Sequence, residues 1–298
     1  MKQILKSYLE HICGAEHVFE DFPLAGQTTF KIGGKAKFFV AVQSKEILFK
    51  LISALKYIEE KYFVIGNGSN LLVSDKGYDG VVIKLGFAEI IENGQFVYAD
   101  AGVILSRVTA FARSHELGGL EWTVGIPATV GGATYMNAGA HGHQISDSIV
   151  CVDVLIDDEF KTIESTQLKF DYRKSIFQKN KNWIILGAYF YFKKEKKQTI
   201  ERKESEYKKK RINHPIEPSA GSTFKKPHEE FYVGKVIDEL GLKGKEIGGA
   251  QISKKHAGFI VNKGGATCHD VEKLISLVRK EVYKIHGVKL KLEYEKLK

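Results

Sequence analysis

The chain is short of several things, and each shortage closes a class of protein. It has 3 cysteines in 298 residues, Cys13, Cys151 and Cys268, all far apart. That spacing supplies neither a disulfide framework nor a CxxC metal module. With 5 prolines and 29 glycines, it is neither collagen-like nor a proline-rich disordered chain. No apolar run approaches the roughly 18 residues that a membrane-spanning helix needs. Ser7, Glu10 and His11 interrupt the N-terminal stretch where a secretion signal requires unbroken apolar residues. A cytoplasmic protein, free of membrane segments, is expected. Its length suggests about two domains of ~150 residues, and 43% hydrophobic residues can fill their cores.

Charge is present but unevenly placed. Lys plus Arg number 45 against 36 Asp plus Glu, a net of +9. Residues 193–211 alone hold ten basic and four acidic side chains, which leaves the rest of the chain nearly balanced. Glu204 and Lys208, like Glu206 and Lys210, stand at the i,i+4 spacing of neighbours on a helix. The segment reads as a solvated helix linking two domains, with a polyanion-binding stripe as the alternative. Tyr207 is its single aromatic, which argues against single-stranded nucleic acid as the partner.

Apolar periodicity lays out the rest. Lys35 to Val42 reads as a strand, and Ser44 can cap a helix carrying Ile47, Leu48, Leu51, Leu55 and Ile58 on one face. KYFVIG is a strand that enters the glycine turn GNGSN, Gly66 to Asn70. LLVSDKGYDGVVIKL reads as strand, turn and strand, and FVYADAG as another strand. Leu105, Val108, Phe111 and Ala112 define a helix that stops at Gly118 and Gly119. Seven glycines between Gly118 and Gly142 are too many for ordinary helix or strand. VCVDVLI and WIILGAYFYF are strands flanking YRKSIF. Pro215 and Pro218 mark a boundary. Beyond it come a helix near Val233 to Leu240, a strand GFIVN, and a helix from an Asp270 N-cap to Ile285 that Gly287 closes. VKLKLEYEKL reads as a final strand. The mixture is α+β.

Two glycine-rich segments could carry chemistry. Small residues at GNGSN let backbone N–H groups approach an anion, although an ordinary tight turn fits equally well. It is not a dinucleotide fingerprint of the Rossmann type, because Leu71 takes the third glycine position and no helix follows. In GIPATVGGATYMNAGAHG, Gly125 to Gly142, Pro127 stiffens the entry, Gly131, Gly132 and Gly139 permit close approach, and Asn137 offers an amide. Two such turns about 60 residues apart, each beside strands, suggest one extended ligand held by main-chain atoms. His141 and His143 lack further ligands at suitable spacing, so no metal site is expected. Lys225, Lys226 and Arg211 surround the Ser222 loop and suit a diphosphate-bearing sugar nucleotide, or simply solvent.

TTFKIGG, VIGNGSNLLVSDKGYDGVVIKL, GIPATVGGATYMNAGAHG, YRKSIF, AGSTFKKP and KHAGFIVN stand in this order between residues 28 and 262. In these motifs the chain resembles the UDP-N-acetylenolpyruvoylglucosamine reductase family, over about residues 20–296, and within it the shorter branch. The resemblance implies an FAD-binding unit of the p-cresol methylhydroxylase type with two subdomains, about 1–86 and 87–192. A charged helical linker, 193–213, and a C-terminal α/β substrate-binding domain, 214–298, would follow, the last strand returning to the FAD region. Non-covalent FAD would lie along Ile65, Gly66, Asn67, Gly68, Ser69, Asn70 and Leu71. It would also lie along Gly125, Ile126, Pro127, Gly131, Gly132, Ala133, Asn137, Gly139, Ala140 and Gly142.

The same resemblance implies an activity. NADPH would be the reductant, and the enolpyruvyl group of a UDP-sugar would be reduced to give UDP-N-acetylmuramate for peptidoglycan. Arg173 would engage the substrate carboxylate, Ser222 donate a proton and Glu293 assist, while His256, Lys225, Lys226 and Arg211 would bind substrate. A monomer binding neither nucleic acid nor membrane is expected. Three positions depart from the family pattern: Lys31 replaces an arginine, Lys226 an asparagine, and Leu292-Glu293-Tyr294-Glu295 stands for PEVR. A flavin oxidase of the same fold group and a non-catalytic polyanion binder built on 193–211 are the rival readings.

Overall fold

The structure, a computed structural model, describes residues 2–298. Its helices are α1 (Lys2–Cys13), α2 (Lys45–Tyr57), α3 (Leu105–Ser114), α4 (Val130–Met136), α5 (Lys197–Lys210), α6 (Val233–Glu239) and α7 (Cys268–His286). The chain divides into two interleaved units. One holds residues 2–20, 38–67 and 80–212, and the other Asp21–Lys37, Gly68–Asp79 and Asn213–Lys298. Sequence reading expects contiguous segments instead, because periodicity reports local structure and not which strand a distant segment joins.

The first unit is built on two sheets. One has the strand order Val18–Pro23, Lys35–Val42, Tyr78–Leu85, Tyr62–Ile65, with the last pair parallel in the register Tyr62 to Val81 and Ile65 to Lys84. α2 begins as expected, its Ser44 hydroxyl accepting the Ile47 N–H at 3.2 Å, and buries Leu48, Leu51, Ile52 and Leu55. α1 is an element that sequence reading did not anticipate, and it buries Leu5, Leu9 and Cys13 at one-turn spacing. The second sheet has the order Glu159–Glu164, Ile149–Ile156, Ile184–Tyr191, Phe96–Asp100, Ile90–Asn93 and is antiparallel. Ile184–Tyr191 is buried at six of its eight residues, which explains its unbroken apolar run.

Two local expectations are corrected in this unit. The glycine-rich segment does contain a helix: α4 carries Gly131 and Gly132 because Thr129 caps it, accepting the Gly132 N–H at 3.2 Å. α5 is solvated along most of its surface, as expected, but it is also anchored at defined points. Ile200 is buried, Arg113 pairs with Glu204, and Lys203 pairs with Glu195 at 2.7 Å. Of the i,i+4 pairs on α5, the one formed is Arg202–Glu206 at 3.5 Å, since Glu204 turns to Arg113.

The second unit packs α6 and α7 on an antiparallel sheet of order Ser219–Ser222, Phe259–Asn262, Ala250–Ile252, Glu246–Ile247. Its core holds Phe30, Ile32, Phe224, Ile237, Leu274, Val278 and Tyr294. The N-cap of α7 is Thr267 and not Asp270. Thr267 Oγ1 accepts the Asp270 N–H at 3.1 Å while Asp270 returns the bond to the Thr267 N–H at 3.0 Å, a reciprocal capping box. Gly287 closes the helix at φ 66°. The final strand is also shorter than expected, Glu295–Leu297, and pairs in parallel with Leu71–Val73. Buried Leu297, whose carbonyl accepts the Ser74 N–H at 2.8 Å, ties down an end that sequence alone would leave frayed.

α7 has a second cap from a remote segment of its own unit. Asp75 accepts the Cys268 N–H at 2.7 Å and the His269 N–H at 3.0 Å. Asp75→Ala should therefore cost about 1–3 kcal/mol in urea unfolding, more than an ordinary cap because two amides lose a charged acceptor. Asp75→Asn should recover part of it. Hydrogen bonds, the Thr267 N–H first, hold the Asp270 carboxyl below its ordinary value. The box thus contributes above pH ~4 and weakens as pH falls through the folded-state value. A pH series of the same unfolding measurement checks both.

Candidate active site

The turn after the strand Tyr62–Ile65 is shaped by contacts that exclude side chains. A Cβ on Gly66 would stand 2.5 Å from Thr129 Oγ1, so the turn backbone lies directly against the residue that caps α4. Asn67 Nδ2 donates to the Pro127 carbonyl at 2.8 Å. Lys84 Nζ donates to the Gly66 carbonyl, and burial pushes that ammonium's pKa down. Gly68 has φ +58°, and a side chain there would run into the Gln27 carbonyl. The backbone N–H groups of Asn67, Gly68, Ser69 and Asn70 have no acceptor within the protein among the described residues. A row of amides with a lysine beside it is a cradle for an anion.

The second segment meets the first at Pro127 and Thr129. Gly131 donates its N–H to the Ala101 carbonyl at 2.9 Å and has no room for a side chain against Ala101. Gly125 and Gly142 take φ +78° and +86°, where glycine is the natural residue. Asn137 corrects the expectation of an amide offered to a ligand. It is fully buried in a left-handed conformation, and Nδ2 donates to Gln144 Oε1 at 2.9 Å and to the Asp171 carbonyl at 3.0 Å. Its Oδ1 accepts the Ser146 N–H at 3.2 Å. With both donors spent, Asn137 ties the NAGAHG segment to the YRKSIF turn.

That turn presents Arg173. Asp171 and Lys174 exchange backbone bonds of 3.2 and 2.9 Å, leaving Tyr172 and Arg173 at the tip. Arg173 has φ 54°, a conformation in which glycine or asparagine is usual. Gln178 Nε2 donates to the Arg173 carbonyl at 3.1 Å, and the guanidinium donates to the Gly139 carbonyl at 2.7 Å. The adjoining Tyr172 ring lies 5.1 Å from the guanidinium carbon.

In the second unit, Ser222 ends its strand opposite Phe259, after Gly221 at φ +79°. The next residues pair with the C-terminal segment: Thr223 accepts the Glu293 N–H at 3.0 Å, Phe224 bridges Leu292, and the Lys225 N–H donates to Lys291 at 2.9 Å. Tyr294 turns inward, its hydroxyl 2.7 Å from Thr223 Oγ1, and burial pushes its pKa up. Asn70 fixes the other side, Nδ2 donating to the Glu293 carbonyl at 2.9 Å and its own carbonyl accepting the Glu295 N–H at 2.9 Å. The structure thus brings Ser222 and Glu293 onto adjacent paired segments, whereas Arg173 is built in the first unit.

The remaining expected residues are placed as follows. Lys226 Nζ lies 4.4 Å from the centroid of the Tyr232 ring. His256 Nδ1 accepts the Gly258 N–H at 3.1 Å, and burial lowers its pKa, so the ring is a neutral turn-former with Nε2–H left to donate. His143 Nε2 meets the Tyr207 hydroxyl at 3.0 Å, and His141 stacks on Tyr207 at 5.4 Å. Arg211, in the first unit, lies against Gly125.

Comparison with known proteins then decides the family. Residues 36–159 match the model of an FAD binding domain, and residues 212–297 match the UDP-N-acetylenolpyruvoylglucosamine reductase C-terminal domain. The UDP-N-acetylenolpyruvoylglucosamine reductase of Thermotoga maritima is 46% identical over 91% of this chain and 96% of that one. The reductase of that name from Caldanaerobacter subterraneus is 42% identical, over 97% of each chain. The crystal structure of the Thermus caldophilus reductase superposes with a TM-score of 0.81 at 35% identity, covering 94% of this chain and 98% of that one. The chain belongs to the UDP-N-acetylenolpyruvoylglucosamine reductase family.

The cofactor of this family is FAD, and the glycine turn and the segment from Gly125 fit it. Glycines without room for a side chain, free turn amides and a buried lysine are what an anionic dinucleotide needs from main chain. Sequence reading missed Lys84, Thr129 and Gln178. Lys84 is the one charge in the run VVIKL, a signal that was available; Thr129 and Gln178 act on backbone atoms of distant segments and leave no local pattern. Gly66→Ala should lower flavin retention at least ~10-fold, because the methyl pushes the turn off Thr129. Adding Thr129→Ala removes the nearest atom and should restore much of the loss. Flavin retained after ultrafiltration measures both, and a double variant as poor as the single one would show that this contact does not shape the site.

Proposed function

We propose that the protein reduces the enolpyruvyl group of UDP-N-acetylglucosamine enolpyruvate to UDP-N-acetylmuramate, with NADPH as electron source, as a cytoplasmic monomer of peptidoglycan synthesis. Bound FAD supplies the hydride chemistry between the two substrates. Ile65 to Leu71 and Gly125 to Gly142 would hold it, chiefly by backbone.

This chain's residues then have three tasks. Negative charge develops next to the substrate carboxylate as hydride arrives, and a fixed guanidinium such as Arg173 stabilises it where it appears. Its bond to the Gly139 carbonyl and the hold of Gln178 on its backbone limit the reorganisation this requires. Ser222 would give the proton that completes the product. A serine hydroxyl is a weak acid, so its neighbours must offset the developing alkoxide, and Lys225 is three residues away on the same loop. Glu293 would orient that proton transfer. Lys225, Lys226 and His256 would bind the sugar nucleotide.

The observation that carries the assignment is the clamping of Glu293 beside Ser222. Its N–H is bound to Thr223 and its carbonyl to Asn70, while Glu295 lies on the strand paired with Leu71. Both backbones are anchored, so order does not separate the two residues; the pairing of Glu293 with Thr223, the residue after Ser222, favours Glu293. Glu293→Gln should cut turnover at least ~100-fold and Glu295→Gln less than about threefold, read as flavin reoxidation in a stopped-flow instrument at matched flavin content. Ser222→Ala should leave flavin reduction by NADPH nearly intact and slow reoxidation by substrate by about three orders of magnitude. Equal slowing of both half-reactions would reject the proton-donor role.

A further inference from the structure

Arg211 is a half-buried cation that no carboxylate pairs with among the described residues. It ends α5, and its Nε is buried with no hydrogen-bond partner. Burial lowers its pKa accordingly. A cation drawn out of water without a counter-charge is destabilising. Glu204, the acidic residue on the same face of α5, is two turns away, about 10 Å along the helix, and is bound to Arg113.

The groups that do surround Arg211 belong to the second glycine segment, Gly125 to Gly142. A Cβ on Gly125 would stand 3.2 Å from its Cδ, and burial first, then the charges of Arg211 and Lys210, lower the pKa of His141. The His141 Nε2 is likewise buried without a partner. Tyr207, one turn earlier on α5, stacks on His141 and bonds His143. Gly125 and His141 both lie within residues 36–159, the span matched by the FAD binding domain. Cations, an open imidazole nitrogen and a left-handed glycine thus converge here, and the nearby carboxylate, Asp147, faces His143 and not Arg211.

We propose that Arg211 is a cofactor-binding residue, the counter-charge for the diphosphate of FAD, through which bound FAD holds the last turn of α5 on the first unit. The inference rests on the FAD reading of that unit. A diphosphate is also carried by the UDP-sugar, the partner that sequence reading gave to Arg211, and the two sources are separable. Full-length holoprotein with Arg211, Arg211→Lys or Arg211→Met is ultrafiltered at falling concentration to obtain the FAD dissociation constant, and UDP is titrated against each by its perturbation of the flavin spectrum.

Arg211→Met should weaken FAD at least ~10-fold, with Arg211→Lys between it and the wild type, while UDP affinity changes less than about twofold. Flavin-free Arg211→Met should unfold at a urea midpoint no lower than the flavin-free wild type, because it removes an uncompensated half-buried charge. A lower midpoint would make the arginine structural and overturn the proposal. FAD affinity unchanged within about twofold would overturn it too, and a loss confined to UDP would return Arg211 to the substrate. A wild-type protein that carries no flavin at all would instead defeat the FAD reading on which the inference stands.

Discussion

The turn after Ile65 lies so close to Thr129 that no side chain fits between them, and much of the first unit is arranged around that contact. Thr129 can receive the turn because its hydroxyl is already engaged as the cap of α4, accepting from Gly132. The glycines of α4 are tolerated for the same reason: a cap, a buried Val130 and the bond from Gly131 to Ala101 offset their poor helix propensity. Asn67 then reaches Pro127 and Lys84 fills the Gly66 carbonyl, so one close approach aligns a strand end, a helix start and a cation. Main chain brought this near to main chain leaves amides as the surface of the site, which suits a cofactor recognised through its phosphates.

The same turn ends in a second anchor. Asn70 uses its side chain on Glu293 and its carbonyl on Glu295, so it acts as a bracket for the C-terminal segment and not as a ligand group alone. That bracket explains how a carboxylate six residues from the end can be held with the accuracy that chemistry demands, on the order of 1 Å. Tyr294 supplies the remaining constraint by burying its ring against Phe30 and its hydroxyl against Thr223.

Much of this was legible in the residues. The strand Lys35–Val42, the Ser44 cap, the pair of strands around the SDKGYDG turn and the closure of α7 at Gly287 all follow from periodicity and local capping chemistry. The six ordered motifs carried the family. What stayed hidden depends on partners distant in sequence. The second cap of α7 comes from Asp75, the strand partner of Glu295–Leu297 is Leu71–Val73, and α5 is fixed by Arg113 and Glu195. Asn137 is instructive. Composition marks it as a free amide, yet its donors go to Gln144 and Asp171, residues that no spacing rule connects to it.

Arg173 shows the opposite relation between sequence and structure, a residue that local rules would not choose. Its left-handed backbone at the tip of a tight turn favours glycine or asparagine, and a long side chain there costs roughly 1 kcal/mol. The surroundings hold it in place nonetheless: Gln178 binds its carbonyl, Asn137 binds the carbonyl two residues earlier, and Ser175 Oγ donates to the Tyr135 carbonyl at 2.6 Å. Gly139 completes the arrangement, since a side chain there would press on the guanidinium it receives. Four residues from two stretches of chain therefore converge to maintain one unfavourable torsion. A fold that keeps such a conflict when glycine would remove it is keeping the guanidinium, and the pose of that guanidinium is what the surrounding hydrogen bonds have in common.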